Sequence, residues 1–368
     1  MGGYSLCSLG HKKKPVTTYP APTGYLRYEY PMSIQMLPDA QSDPFGERSA
    51  VLTKYMQLLG APFRFDSNSA ELMQLVDSAY EGLPRHRLPG PSRELRVTLR
   101  LAPGAQPHER DEPPPLVMLS GGGLLGGAPA TSNFVVMAPG DRSALVAVSP
   151  PMLRFPYHSR YELVEFAVFT LAARAQALVP LHAACVGRGG RGLLLIGPSG
   201  AGKSTVALHC LLDGFDFLSE DSVFVSPATL LATGVPNFVH IRADSLRWLG
   251  RSREAAAIRR SPVIRRRSGV RKFELDLRRE GFRLAKSPLK IVGVVLLSPQ
   301  TAGAGPLLRS LSRSALLANF ADTQAYGAGQ PQWREFRKNL SGVDAFELRR
   351  GGHPREAVRA LRSVLGNR

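Results

Sequence analysis

The sequence predicts an α/β protein: a mixed-sheet domain over about 156–368, built on one glycine-rich loop and its helix, preceded by a small α+β unit over 46–155. Three observations carry this. The short apolar run Gly192–Ile196 leads straight into Gly-Pro-Ser-Gly-Ala-Gly-Lys-Ser at 197–204, which opens a helical run. The run Leu289–Leu297 is apolar throughout, as a strand covered on both faces must be. Upstream, a helix-period stretch is followed by a strictly alternating one.

Residues 1–45 hold Lys12–Lys14, several prolines and scattered tyrosines without periodicity, and are expected as a weakly ordered leader. Ser69–Leu83 reads as a helix, with Leu72, Leu75, Val76 and Tyr80 on one face and Gly82 at its end. Arg93–Ala102 alternates and reads as a strand. Phe134–Met137 and Ala144–Ser149 flank Pro139-Gly140-Asp141 and predict a hairpin. Pro103–Pro115 and the glycines of 121–127 are expected as loops. Ser159–Leu178 follows as an amphipathic helix through Val164, Val168, Leu171 and Ala175, closed before Pro180. Leu181–Val186 and Gly192–Ile196 are separated by a segment that fits only a tight turn, so they predict two antiparallel strands. A helix at about Lys203–Leu212 stops at Gly214, Asp216–Val225 returns as one strand, and Pro354–Leu365 is the last helix.

The chain has 368 residues, 43% of them hydrophobic, enough for a sizeable core. Its three cysteines, Cys7, Cys185 and Cys210, form no CxxC pair, which argues against a zinc site or a disulfide framework and fits a reducing cytoplasm. The first residues hold no apolar run long enough for a signal peptide. The longest apolar stretch, Leu163–Leu178, carries Glu165 and Arg174, so it reads as a buried helix and no membrane span is expected. Net charge is +18, mostly from arginine, with a dense stretch only at Arg251–Arg279. Such a charge draws acidic partners but specifies none.

Chemistry concentrates in one loop. Gly197, Pro198, Ser199, Gly200, Ala201, Gly202, Lys203 and Ser204 match G-x-x-x-x-G-K-[ST] in full, with Thr205 following. Glycines at 200 and 202 let successive N–H groups converge on phosphate oxygens, and the helix start adds its positive dipole end. Lys203 is placed for the β- and γ-phosphates and the Ser204 hydroxyl for Mg²⁺, so ATP and Mg²⁺ are the expected cofactors. No N-K-x-D sequence is present, which argues against a GTPase. The strand Ile291–Leu297 runs into Ser298-Pro299-Gln300 rather than an aspartate. The nearest acidic pair is Glu220-Asp221, which a helix and a return strand would bring back beside the loop.

Leu181–Val186 (LHAACV), the tight turn, GPSGAGKS and Phe217–Val225 (FLSEDSVFV) together resemble the HPr kinase/phosphorylase family, whose P-loop fold is akin to phosphoenolpyruvate carboxykinase. The unit over 46–155 looks more like the divergent HPr-kinase-related proteins that accompany peptide-modification gene sets. The resemblance covers about Pro180–Val225 well and the rest of the C-terminal half loosely. It implies a kinase in which Glu220 is the general base, His182 tunes it from a neighbouring strand, and Asp221 joins Ser204 on Mg²⁺. Three departures stand out. The family's acidic pair is usually Asp-Asp, its loop serine is usually followed by Glu where Thr205 stands here, and its downstream glycine-rich segment is replaced by Asn237–Asp244. Phosphorolysis is therefore not carried over. Arg242, Arg271 and Lys272 are candidates to neutralise the transferred group, and His240 and Trp248 are expected as packing residues. The implied acceptor is a Ser or Thr hydroxyl of a protein or peptide, attracted by the basic surface if acidic, and the family's oligomers make an oligomer an expectation. Two other readings stay open: an ATP-binding regulator with little catalysis, and a nucleic-acid-stimulated ATPase. Against the latter, Arg251–Arg279 lacks aromatics interleaved for stacking on bases, so nucleic acid is not the expected partner.

Overall fold

The computed structural model describes residues 51–366 apart from 103–111, 131–132 and 280; the expected leader over 1–45 lies outside the described residues. Over the described residues the chain is a mixed α/β protein with three sheets.

The first sheet comprises β1 (Leu52–Leu58), β2 (Ala61–Ser67), β3 (Leu95–Leu101), β4 (Val117–Gly121), β5 (Leu124–Ala130), β6 (Asn133–Ala138) and β7 (Ser143–Val148), in the order β1-β2-β3-β7-β6-β5-β4. Strands β2, β3 and β7 are parallel and the rest antiparallel. Helix α1 (Ala70–Tyr80) makes the crossover from β2 to β3, its first turn capped by the Ser69 hydroxyl accepting from the Leu72 N–H at 3.3 Å. The glycines of 121–127, expected as loop, form the β4–β5 hairpin, which turns tightly at Gly122-Gly123 between the paired Gly121 and Leu124. Every residue of β4 is exposed, so no apolar alternation marks this strand in the sequence.

After the short helices α2 (Pro150–Leu153) and α3 (Pro156–His158), a π-helical turn at Ser159–Glu165 runs into α4 (Phe166–Ala175). Placing the boundary between units at 155–156 assigned this helical segment to the second one. Instead Val164, Val168 and Leu171 are fully buried against Phe63, Phe65, Val97, Leu99 and Val146 of the first sheet. The apolar face of α4 finds its complement there, and each such side chain contributes about 1.5–3 kcal/mol by leaving water.

The second sheet contains β8 (Val179–Leu181), β9 (Ala184–Arg188), β10 (Arg191–Ile196), β11 (Asp216–Ser219), β12 (Val223–Val225), β13 (Leu231–Gly234), β17 (Leu289–Thr301), β18 (Leu308–Ser310) and β19 (Asp344–Arg350). Its path is β11-β9-β10-β17-β13-β12-β8, with β19 on β17 and β18 on β19; β10, β17 and β19 are parallel. Alternate side chains serve two cores. Val186, Leu193, Leu195 and Val295 face α5 (Lys203–Leu212) and α10 (Pro354–Gly366). Cys185, Leu194, Ile196 and Val294 face α7 (Arg313–Thr323), α8 (Ala325–Ala328) and α9 (Trp333–Leu340), where Phe320, Trp333 and Phe336 pack together.

Two expected strands are each broken in the middle. Asp216–Val225 becomes β11 and β12, and Leu181–Val186 becomes part of β8 and β9. The halves form one antiparallel ribbon whose register carries across the gap, with Leu181 opposite Val223 and Cys185 opposite Ser219. The ribbon opens at His182-Ala183 against Glu220-Asp221-Ser222, and its two ends diverge to opposite ends of the sheet.

A third, three-stranded sheet of β14 (Phe238–Ile241), β15 (Val263–Arg265) and β16 (Arg271–Asp276), ordered β14-β16-β15, packs beside α5, with α6 (Arg253–Arg260) on β16. A polar seam joins the first sheet's unit to the rest. Arg278 donates to the carbonyls of Ser78 and Glu81, Asn237 donates to that of Ala79, and the buried His86 ring meets Thr233 Oγ1 at 2.9 Å and the Ala285 carbonyl at 2.8 Å. Phe224 and Val235 complete the first core. Among the described residues no helix is long and apolar enough to cross a membrane.

Candidate active site

The loop at Gly197–Ser204 leaves the end of β10 and enters α5. A Cβ on Gly197 would stand 2.8 Å from the Leu297 carbonyl, so only glycine fits where the chain passes β17. Gly200 and Gly202 turn through φ of +81° and +105°, with open space beside both. Ala201 N–H closes the bend onto the Pro198 carbonyl at 3.2 Å, and Arg350, at the end of β19, donates to the Gly200 carbonyl at 3.2 Å. Lys203, first residue of α5, is 8% exposed, and its Nζ donates to the Gly197 carbonyl at 2.8 Å. Pro198, Ser199 and Ser204 line the same bend, and the next residue, Thr205, has its hydroxyl 3.2 Å from that of Ser245. The first-turn N–H groups of a helix have no intrahelical acceptor, so this bend presents donors and a cation together.

The ribbon gap supplies the acids. Asp221 Oδ1 lies 3.1 Å from His182 Nδ1 and Oδ2 lies 3.5 Å from Arg266 Nη2. Burial alone would raise the Asp221 carboxyl; His182, then Arg266 and Lys272, more than reverse this and hold it well below the usual carboxylate range. The Glu220 side chain turns the other way. It is 5% exposed, its Oε2 accepts the His240 N–H at 2.9 Å, and the His240 ring nitrogen Nδ1 is 3.3 Å from the same oxygen. Burial opposes its ionisation, while His240 and Lys272 favour it, and the net shift is downward.

Where His182 is expected beside Glu220, its ring nitrogen touches Asp221, while Glu220 turns onto His240. The side-chain amide of Gln324 holds His182 in place through both of its backbone groups.

His240, expected as packing, instead bridges two carboxylates. Its Nε2 is 3.1 Å from Glu274 Oε1, and Glu274 also pairs with Arg160 of the π-helical turn. Arg160 Nε lies 3.3 Å from Glu165 Oε1, and its guanidinium stacks 4.2 Å from the Phe238 ring centre. Burial opposes ionisation of Glu274, but His240 and Arg160 lower its pKa to about 2. Burial pushes Glu165 up despite Arg160. Of the basic candidates, Lys272 lies near enough to act on both Glu220 and Asp221, Arg271 is exposed on the opposite side of β16, and Arg242 is exposed beside Asp244 at 3.5 Å. Trp248 packs under Arg247, 4.7 Å from the ring centre. Arg160, Arg266 and Glu274 were not singled out from sequence. Their signal is a charged residue on an otherwise inward-facing side of a strand or helix, which becomes legible only once the elements are paired.

No family model and no curated protein matches this chain. Among solved structures, the HPr(Ser) kinase/phosphatase from Coxiella burnetii is similar over 51% of this chain and 88% of that chain, with 11% sequence identity and a TM-score of 0.25. A likeness of that size carries no part of the functional argument, which rests on the residues of the loop and the ribbon gap.

Proposed function

We propose that the chain is an ATP-dependent kinase that passes the γ-phosphoryl group to a hydroxyl, a Ser or Thr of a protein or peptide. The observation that carries this reading is the loop itself: a strand, a glycine bend with positive φ at Gly200 and Gly202, and a buried lysine as the first residue of the helix that follows. In this reading the bend's N–H groups cradle the phosphates and the Lys203 ammonium shifts from the loop carbonyls to the β- and γ-phosphate oxygens.

The two carboxylates divide the work differently from the expectation. Asp221 is the accessible member, with 27% of its side chain exposed against 4% for Glu220. The acceptor oxygen forms its bond to the γ-phosphorus as the bond to the β–γ bridging oxygen breaks, and its proton passes to Asp221. Little basicity is needed, since the transition state of phosphoryl transfer is loose. Glu220, tied to the His240 backbone, fixes where that turn of chain sits.

Mg²⁺, when bound, neutralises charge on the transferring and leaving phosphates. The hydroxyl of Ser204 is a hard oxygen donor suited to it. Asp221, expected as a second ligand, is already flanked by His182 and the Arg266 guanidinium, which compete with a cation for its oxygens. Among the described residues no group of three or more His, Cys, Asp or Glu is placed to hold a metal. Mg²⁺ would take its other oxygens from phosphate and water.

The test is incubation of the purified chain with γ-labelled ATP, Mg²⁺ and candidate peptides, beside Lys203→Ala. Label on an acceptor that is lost in the variant supports the kinase. ATP binding with no label on any hydroxyl compound sinks it in favour of a nucleotide-binding regulator.

A further inference from the structure

The β15–β16 hairpin and α6 carry a face of arginines that the fold leaves largely unneutralised. Arg251, Arg259, Arg260 and Arg271 are exposed, and none of them forms an ion pair among the described residues. Arg265, with 59% of its side chain exposed, meets a single acid, Glu112, at 3.0 Å. Arg265 and Arg271 stand directly opposite each other in the ladder. Like charges in facing positions disfavour the very hairpin that holds them, so their placement gains when an anion lies across both. The neighbouring residues point the other way. Arg266 is buried with Nη2 3.5 Å from Asp221 Oδ2, and Lys272, directly opposite Ile264, shares that inner side. One hairpin thus turns cations toward the acidic pair on its inner side and arginines toward solvent on its outer side.

We propose that this outer face, Arg259, Arg260, Arg265 and Arg271, is a docking surface for an acidic segment of the protein or peptide that carries the acceptor hydroxyl. The inference rests on the kinase reading, which it narrows to acceptors flanked by Asp or Glu. The guanidinium fork matches carboxylates bidentately, and Arg265 stands one residue from the arginine that touches Asp221. Nucleic acid fits less well. No aromatic ring between 251 and 279 is exposed for stacking.

The experiment follows fluorescence anisotropy of the full chain with three probes, without nucleotide: a labelled peptide with serine between runs of glutamate, its lysine counterpart, and oligo(dT). The glutamate peptide is expected to bind, the lysine peptide not, and binding to weaken as salt rises. R259E/R260E/R271E is expected to cost about tenfold in affinity for the glutamate peptide, from several exposed charge pairs lost together. R259E/R260E, confined to solvent-facing positions of α6, is the fallback if the triple variant does not fold. Equal binding of the two peptides, or unchanged binding in a folded variant, overturns the proposal. So does oligo(dT) binding tighter than the glutamate peptide and lost in the same variant, which would make this a nucleic-acid face. Binding is read here without ATP, so peptide binding with no label in the separate γ-labelled ATP assay would sink the kinase reading alone, and transfer there that is indifferent to flanking charge would sink the docking surface alone.

Discussion

Gln324 holds His182 by both backbone groups: the His182 N–H donates to Gln324 Oε1 at 2.7 Å, and Gln324 Nε2 donates to the His182 carbonyl at 3.1 Å. Gln324 is 1% exposed, and its carboxamide takes the place of strand partners for His182. Gln324→Ala leaves both groups without that partner. It should cost about 1–3 kcal/mol in urea unfolding and lower turnover by loosening His182. Gln324→Glu keeps the acceptor but loses the donor and should fall between. Full stability in Gln324→Ala would show that water replaces the amide without penalty.

Asp221→Asn should lower phosphoryl transfer by about 10²–10⁴-fold while ATP still binds, as expected for loss of a positioned base. Glu220→Gln should lower stability more than it lowers turnover per folded molecule. Single-turnover kinetics beside nucleotide titration separates the two. A larger chemical defect in Glu220→Gln than in Asp221→Asn would restore the division of labour read from sequence.

The helix after the glycine bend was legible because a local pattern needs only local residues: Lys203–Leu212 read correctly from spacing alone. So did the tight β9–β10 turn, since four residues, three of them glycine, leave no room for anything else. The ribbon gap was not legible. His182 interrupts LHAACV and the polar block Ser219–Ser222 interrupts FLSEDSVFV, but only the pairing shows that both strands stop there. The partners that hold the acids lie far off in sequence, 20 residues for Glu220 and His240, and 114 for Arg160 and Glu274. Periodicity reports which face is buried, and not which charge waits on the other side.

Acid should destabilise the protein partly through Glu274. Its carboxyl sits at about 2 in the fold against 4.5 ordinarily, so its stabilising contribution is complete above about pH 4.5 and disappears as pH falls toward 2. Asp221 acts in the same direction and Glu165, pushed upward, in the opposite one. Glu274→Gln should therefore be less stable at pH 7 and lose less on acidification. Thermal unfolding from pH 7 to 3 tests this, and parallel curves for the two proteins would contradict it.

Arg160→Met should be among the most damaging changes outside the loop, at about 3–5 kcal/mol, because it leaves Glu165 and Glu274 buried without their shared cation. The double variant with Glu274→Gln should recover part of the loss. Additive costs in the double-mutant cycle would mean that the two side chains do not act as a pair.

The seam between the first sheet and the rest bears on how such a chain can be inherited. Arg160 reaches from the π-helical turn to Glu274, Arg278 and Asn237 reach back to the end of α1, and Phe224 and Val235 fill a core built mostly from the other half. The half with the glycine-rich loop is thus not a portable cassette. Cut away from its companion, it would expose Phe224 and strand Glu274, the residue through which His240 steadies the acidic pair. Any rearrangement that moved the loop to a new protein would have to carry both halves, so the two are expected to travel, and to vary, as one piece.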